Sequence, residues 1–460
     1  MFRLSLPSDT DHGPVRSRAA AAWLRRAGVA ALSVAAMQSA SAQAPAADDG
    51  VAALSPLAQS NWRFNGFGTL AAANTSSSSD WGFAREATQP QRRGNGTSLG
   101  VDSRLGLQAD WRLDAQWELV GQLVFKPRVH GTELADNIAW AFAAWHPSPD
   151  WTVRAGRTSP DLFLLADVRN VGFAYPWIRP SVDFYGWMPL SKVDGLDVSR
   201  QFDLGESRWR AKLFAGRSSF RLGSARLADD SGKTNPLMGG TLTGEDGRLT
   251  VKATFAVART RATNARSIDQ LHAALDGLSE LPVGSIATQA AELRDTFPLG
   301  TLITRYSALA VVWDASPWQL QAELARTTGN FRASQVWYGY ASAAYRVGDV
   351  TPFAMFGRAR SSRAPLADAQ WAPTLAPVVG AQTAALAQQA GQSVVDTFNY
   401  SRIDQRTICV GTRWDVAERT TLKFQVDLVR SASYGGGLWA YDDLGAHHAR
   451  VTSLGMDFVF

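Results

Sequence analysis

Hydrophobic and polar residues exchange places at every second position over long stretches of this chain. From Ser98 to Leu113 the apolar set is Leu99, Val101, Leu105, Leu107, Ala109, Trp111 and Leu113, interleaved with Gly100, Asp102, Arg104, Gly106, Gln108, Asp110 and Arg112. A period of two predicts a strand with one apolar and one polar face. Trp117 to Lys126, Trp318 to Leu324 and Thr421 to Leu428 repeat it, as does the C-terminal run, where Leu454, Met456, Phe458 and Phe460 enclose Gly455 and Asp457. Weaker versions cover Trp62 to Ala73, Ile138 to Trp145, Trp151 to Arg157, Val193 to Phe202, Arg208 to Arg217, Leu237 to Gly244, Leu249 to Arg259, Leu302 to Trp313, Ser334 to Tyr345, Thr351 to Arg360 and Arg406 to Trp414. One such strand suits a soluble sandwich as well as a membrane barrel. Recurrence along the whole chain points to a closed, two-faced sheet.

The connections alternate in length. Asp114 to Gln116, Pro147 to Asp150, Asp203 to Glu206, Glu245 to Gly247, Asp314 to Pro317, Val347 to Asp349 and Asp415 to Arg419 are tight and rich in turn-forming residues. Ser76 to Gly96, Pro127 to Asn137, Thr158 to Ser191, Ser218 to Pro236, Arg261 to Gly300, Ser361 to Ile403 and Ser431 to His448 are long, with Gly329 to Ala333 as a short exception. Short turns on one rim and long loops on the other, with about sixteen strands, predict an all-β fold: a transmembrane antiparallel up-and-down β-barrel. Trp111, Trp117, Trp145, Trp151, Trp209, Trp313, Trp318, Trp414 and Tyr345 lie beside the short turns, where indole and phenol rings sit at headgroup depth with a wet polar edge. Ser267 to Leu281 and the Ala/Gln-rich Gly380 to Val395 lean towards helix. The first carries charges, and the second is rich in Gln and flanked by Pro373 and Pro377, so both read as loop helices over the mouth and not as membrane spans.

The N-terminus carries Arg25 and Arg26, an apolar run from Ala27 to Met37 and the small residues Ala40-Ser41-Ala42. This predicts a cleaved secretory leader over residues 1–42, with Gln43 first in the mature chain and 43–61 a short periplasmic segment before a barrel over 62–460. Five of the 46 basic and two of the 41 acidic residues fall in that leader, leaving 41 against 39. A balance so close to neutral gives no support to nucleic-acid binding. The single cysteine, Cys409, leaves no internal disulfide to form.

At this point the chain resembles the Gram-negative outer-membrane porins, over nearly all of its mature length. The resemblance rests on Ser103-Arg104-Leu105-Gly106-Leu107, Val153-Arg154-Ala155-Gly156-Arg157 before a long third loop, Tyr345 to Phe353, Val410-Gly411-Thr412-Arg413-Trp414-Asp415, and the terminal Phe460 of the kind outer-membrane assembly reads. It implies a sixteen-stranded homotrimeric pore in the cell outer membrane, in contact with lipid and lipopolysaccharide, that passes small hydrophilic solutes without a cofactor. The third loop would fold inward as a constriction, its acidic residues facing a basic wall. The selectivity residues so implied are Arg104, Lys126, Arg154 and Arg157 on or beside the early strands and Asp161, Asp167, Arg169, Arg179 and Asp183 on the loop, which set up a transverse field. The stretch Val171 to Pro180 is more aromatic and proline-rich than a general porin's constriction loop, a departure that speaks against unselective diffusion.

Other chemistry finds little footing. Gly66-Phe67-Gly68-Thr69-Leu70-Ala71 imitates a dinucleotide fingerprint without the following helix, and Gly232-Lys233-Thr234 lacks the leading glycine of a phosphate loop because Leu227 stands there. His447-His448 are adjacent on an extended segment and point to opposite sides, which is poor geometry for a metal. A barrel hydrolase using His130, His146 or His272 as base is the alternative from another class, although no serine has a nucleophile's setting. A plugged barrel acting as adhesin or receptor is a third reading.

Overall fold

A computed structural model describes residues 61–78, 83–90, 94–128, 134–222, 231–262, 272–273, 275–277, 279–280, 283–296, 301–436 and 445–460. The leader, nearly all of the 43–61 segment, His130 and most of Ser267 to Leu281 fall outside these. The strands are β1 (Trp62–Ser77), β2 (Gly96–Ser98), β3 (Arg104–Arg112), β4 (Trp117–Phe125), β5 (Ile138–Ser148), β6 (Trp151–Thr158), β7 (Val193–Leu204) and β8 (Ser207–Arg221). They continue with β9 (Ser231–Asp246), β10 (Leu249–Ala262), β11 (Thr301–Ala315), β12 (Trp318–Gly329), β13 (Val336–Tyr345), β14 (Val350–Ser361), β15 (Ile403–Ala417), β16 (Thr420–Gly436) and β17 (His447–Val459). Sequential neighbours pair antiparallel, and β17 returns to β1 with Val459 opposite Phe67 and Ala449 opposite Ser77. Both β2 and β3 pair with β1, at opposite ends of it, so they share one stave. The sheet is thus a closed antiparallel barrel of sixteen staves, the predicted fold class.

The two-residue period sets which face each side chain takes. On β3, Leu105 and Leu107 are exposed while Arg104 and Asp110 are buried; on β16, Phe424 and Leu428 are exposed while Lys423, Gln425 and Asp427 are buried. A soluble protein sorts its residues the other way. An apolar outside around a charged inside is the sorting that hydrocarbon imposes on a membrane-spanning barrel. At the short-turn rim the outward rings meet across strands: Trp62 stacks on Trp111 at 5.0 Å between centroids, Trp117 stacks on Trp145, and Trp318 meets Tyr345 edge to face. These are the expected girdle.

Strands extend further into the long-loop side than the alternation indicated. β8 and β9 run to Arg221 and from Ser231, so Gly232-Lys233-Thr234 is strand. Beyond the hydrocarbon both faces meet water, and the apolar half of the period disappears. Helices occupy Gly284–Arg294, Ala372–Val379 and Ala381–Tyr400. They pack together through Leu293, Trp371, Leu375, Val394 and Phe398. The last contains the expected 380–395 helix; the other two lie outside the stretches that leaned towards helix. No helix among the described residues is long and apolar enough to cross a membrane.

Gly156, on the polar face of β6, has φ +131°, and a Cβ there would meet the Ala141 carbonyl. Gly156→Ala is expected to destabilise the barrel by roughly 2–4 kcal/mol, combining backbone strain and overpacking. Urea unfolding in detergent, followed by tryptophan fluorescence, measures it.

Candidate functional site: the segment between β6 and β7

Residues 159–192 join β6 to β7, and their bonds run to inward side chains on many staves. Asp161 pairs with Lys212 on β8 at 3.1 Å and with Lys252 on β10, and accepts from Thr241 on β9 at 3.2 Å. The Leu164 N–H donates to Glu323 on β12, and Trp177 Nε1 donates to Ser342 on β13 at 3.0 Å. Asp183 accepts from Gln405 on β15 at 2.9 Å. Arg179 spans Asp102, just before β3, and Asp427 on β16, and also donates to Ser453 on β17. The segment's partners are thus spread over β8, β9, β10, β12, β13, β15, β16 and β17.

The sequence accounts for its irregular path. Pro160, Pro176, Pro180 and Pro189 bring no N–H that would need a partner. The carbonyls of Gly172, Tyr175 and Trp177, which join no ladder, all accept from the Lys423 ammonium at 2.6–2.9 Å, and Asp457 balances its charge at 2.8 Å. The N–H of Ile178 donates to Gln425. Around this polar frame, Leu162, Phe163, Tyr175, Trp177, Phe184 and Tyr185 form an apolar cluster with Phe214, Tyr306, Tyr340 and Phe353 of the wall. Gly172 lies so close to Asp457 and Thr69 that a Cβ would collide with both side chains.

The charges are matched in place. Burial alone would raise the Asp161 carboxyl, but Lys212, Lys252 and Arg210 hold it well below the usual range. Burial would likewise raise Glu86, which Lys126 at 2.6 Å and Arg169 at 2.7 Å hold well below it. Asp183 behaves oppositely. Burial, reinforced by Asp427, pushes its carboxyl up to about 6 against the hydrogen bond from Gln405. A docked value above the ordinary 3.8 means that the docked segment binds this proton more tightly than a released one. The docking stability it confers is gained as pH falls from about 6 towards 4 and lost as pH rises through 6. Protease nicking of the segment should therefore be slower at about pH 5 than at about pH 8, and Asp183→Asn should flatten the difference.

The expected selectivity residues fall into distinct settings. Arg104 donates to the Asn170 carbonyl and to the Tyr175 hydroxyl. Lys126 and Arg169 converge on Glu86, and Arg154 pairs with Asp197 on its own wall at 2.9 Å. Asp167 is half-buried and within electrostatic reach of Arg154. Asp161, Arg179 and Asp183 are buried in the contacts above. Arg157 requires correction. It stands opposite Ala141 and pairs with Asp194 at 2.6 Å on the outward face, because an odd offset from inward Arg154 reverses the side. The basic partners of Asp161 come from β8 and β10 instead of the early strands. Sequence reasoning missed Glu86, Asp102, Lys212, Lys252, Glu323 and Asp457 as site residues; the inward parity of the strand members was the available signal. Of the candidate bases, His146 lies 3.2 Å from Thr152 Oγ1 and His272 is buried.

No protein-family model and no curated protein sequence matches the chain. Among solved structures it is similar to the anion-selective porin from Comamonas acidovorans, at 14% identity and a TM-score of 0.47 over 87% of this chain and 100% of that one. It is also similar to the outer membrane channel DcaP of Acinetobacter baumannii, at 11% identity and 0.47 over 87% and 97%, and to Pseudomonas putida OprB, at 10% identity and 0.47 over 87% and 94%.

Proposed function

We propose that this protein is an outer-membrane channel for small hydrophilic solutes or ions, whose flux is set by the 159–192 segment acting as an inward-folded constriction. The observation that carries this is the polar inner face continuing to the short-turn rim below the segment, where Arg63, Gln108, Asp110, Gln319 and Arg413 share inward parity. Such residues suit water and dissolved ions. A homotrimer after removal of residues 1–42 belongs to the same proposal. Planar-bilayer recording tests it: purified protein should give stepwise ohmic conductance, and an absence of conductance in both the intact and the segment-shortened protein would contradict it.

A second reading, a barrel held shut until the segment moves, is favoured by the complete burial of Trp177, Ile178, Arg179 and Lys423. It predicts silence from the intact protein and conductance once the segment is replaced by a short Gly/Ser linker.

A further inference from the structure

On the outward face, Arg358, Arg406 and Arg430 stand directly opposite one another on β14, β15 and β16, with His448 of β17 next in the row. Arg360 and Arg326 flank Trp337 one step away, and Arg326 lies over that ring at 4.9 Å. Like charges directly opposed on neighbouring strands destabilise a sheet. Asp404 serves Arg358 at 3.1 Å and Arg360 at 3.8 Å. Among the described residues, Arg406 and Arg430 have no carboxylate within ion-pair distance, and both are exposed. Arg358 lies eight residues beyond Val350 of the short-turn rim, roughly 20 Å up a tilted strand and near the far edge of an apolar band about 25 Å tall.

Directly beside this row is a groove of about 1120 Å³. Its outward floor is Leu309, Val311, Leu324, Ala341 and Phe356, and its upper end is Arg358, Arg360 and Arg363. Gly339 and Ala341 leave the floor low between the larger side chains.

We propose that this face is a binding site for a phosphate-bearing lipid, one acyl chain lying in the groove and the phosphate among Arg358, Arg360, Arg406 and Arg430. This rests on the membrane placement proposed above. Apolar floor and cationic end match an amphiphile with an anionic head, and guanidinium forks pair with phosphate oxygens in a bidentate way. The phosphate supplies the negative charge that the arginine row lacks.

The test needs no conductance, so its failure is separable from failure of the channel reading. The protein is folded in zwitterionic detergent, and binding of a diphosphorylated lipid A is read by native mass spectrometry. Wild type should retain the lipid, and Arg358→Gln/Arg406→Gln/Arg430→Gln should weaken retention by roughly ten-fold or more. Arg208→Gln, an exposed arginine near a short turn, should leave it unchanged. Ala341→Trp, which fills the groove with the arginines intact, should weaken it too, and millimolar inorganic phosphate should not displace it. Heat-modifiable gel mobility verifies folding, with single Arg406→Gln as the fallback variant. Equal retention by the arginine variants, or equal retention of the dephosphorylated lipid, would overturn the proposal. So would a lipid-free oligomer that the arginine variants disrupt, since the face would then belong to a second copy of the chain.

Discussion

Replacing Arg179 with glutamine is expected to raise the conductance of the barrel several-fold and to expose the 159–192 segment to protease. Arg179 is 1% exposed and bridges two carboxylates, Asp102 and Asp427, that belong to opposite ends of the chain. Removing one member of a buried ionic cluster costs on the order of 3–5 kcal/mol, because the remaining charges keep their desolvation penalty without the attraction that offset it. Arg85 remains 3.7 Å from Asp102, so the larger loss falls on Asp427. Letting water reach Asp427 is the least costly relief, and that requires the segment to lift from β16. Arg179→Lys, which keeps the charge and loses the fork, should give an intermediate effect. Unchanged conductance together with unchanged protease resistance would show that the segment is held by its apolar cluster alone.

Asp161→Asn is expected to move ion preference towards anions. Among the described residues, the substitution leaves Lys212 and Lys252, both buried on the inward face, with no carboxylate at ion-pair distance, and Arg210 lies in the same field. Uncompensated cations beside a narrow aqueous path concentrate anions there. Under a salt gradient the reversal potential should shift by tens of millivolts towards the anion's equilibrium value. Because the Asp161 carboxyl sits well below the usual range, the wild-type protein keeps this pairing to pH values below the ordinary carboxylate titration, and only strong acid should mimic the variant. A reversal potential unmoved by the substitution would place the ion path away from β8 and β10.

The barrel was legible in the chain because hydrocarbon on one side forces a strict period of two. Leu105 and Leu107 against Arg104, or Phe424 and Leu428 against Lys423 and Asp427, declare their faces without any knowledge of their neighbours. Where both faces meet water the signal vanishes, which is why β8 and β9 outrun their expected ends. The site was less legible. Arg104, Lys126 and Arg154 do point inward, but the 159–192 segment takes partners far away in sequence, and nothing local to Asp161 or Arg179 names Lys252 or Asp427. Arg157 shows the cost of a single odd offset. The outward arginines were hidden for the opposite reason. They stand at the ends of otherwise apolar faces, and only the cross-strand register aligns Arg358, Arg406 and Arg430.

Strands that meet lipid on one face and a polar interior on the other must differ, position by position, in what can reach them. Spin labels placed singly from Leu422 to Arg430 in membrane-reconstituted protein test it most directly, by accessibility to oxygen and to a water-soluble nickel chelate. Labels at Phe424, Val426 and Leu428 should be open to oxygen and closed to nickel. The label at Val429, an inward position that takes no part in the ion pairs, should be shielded from both in the docked state and gain nickel access when Arg179→Gln is combined with it. Equal nickel access at successive positions would mean water on both faces of β16, and the barrel would then not be a membrane-spanning one.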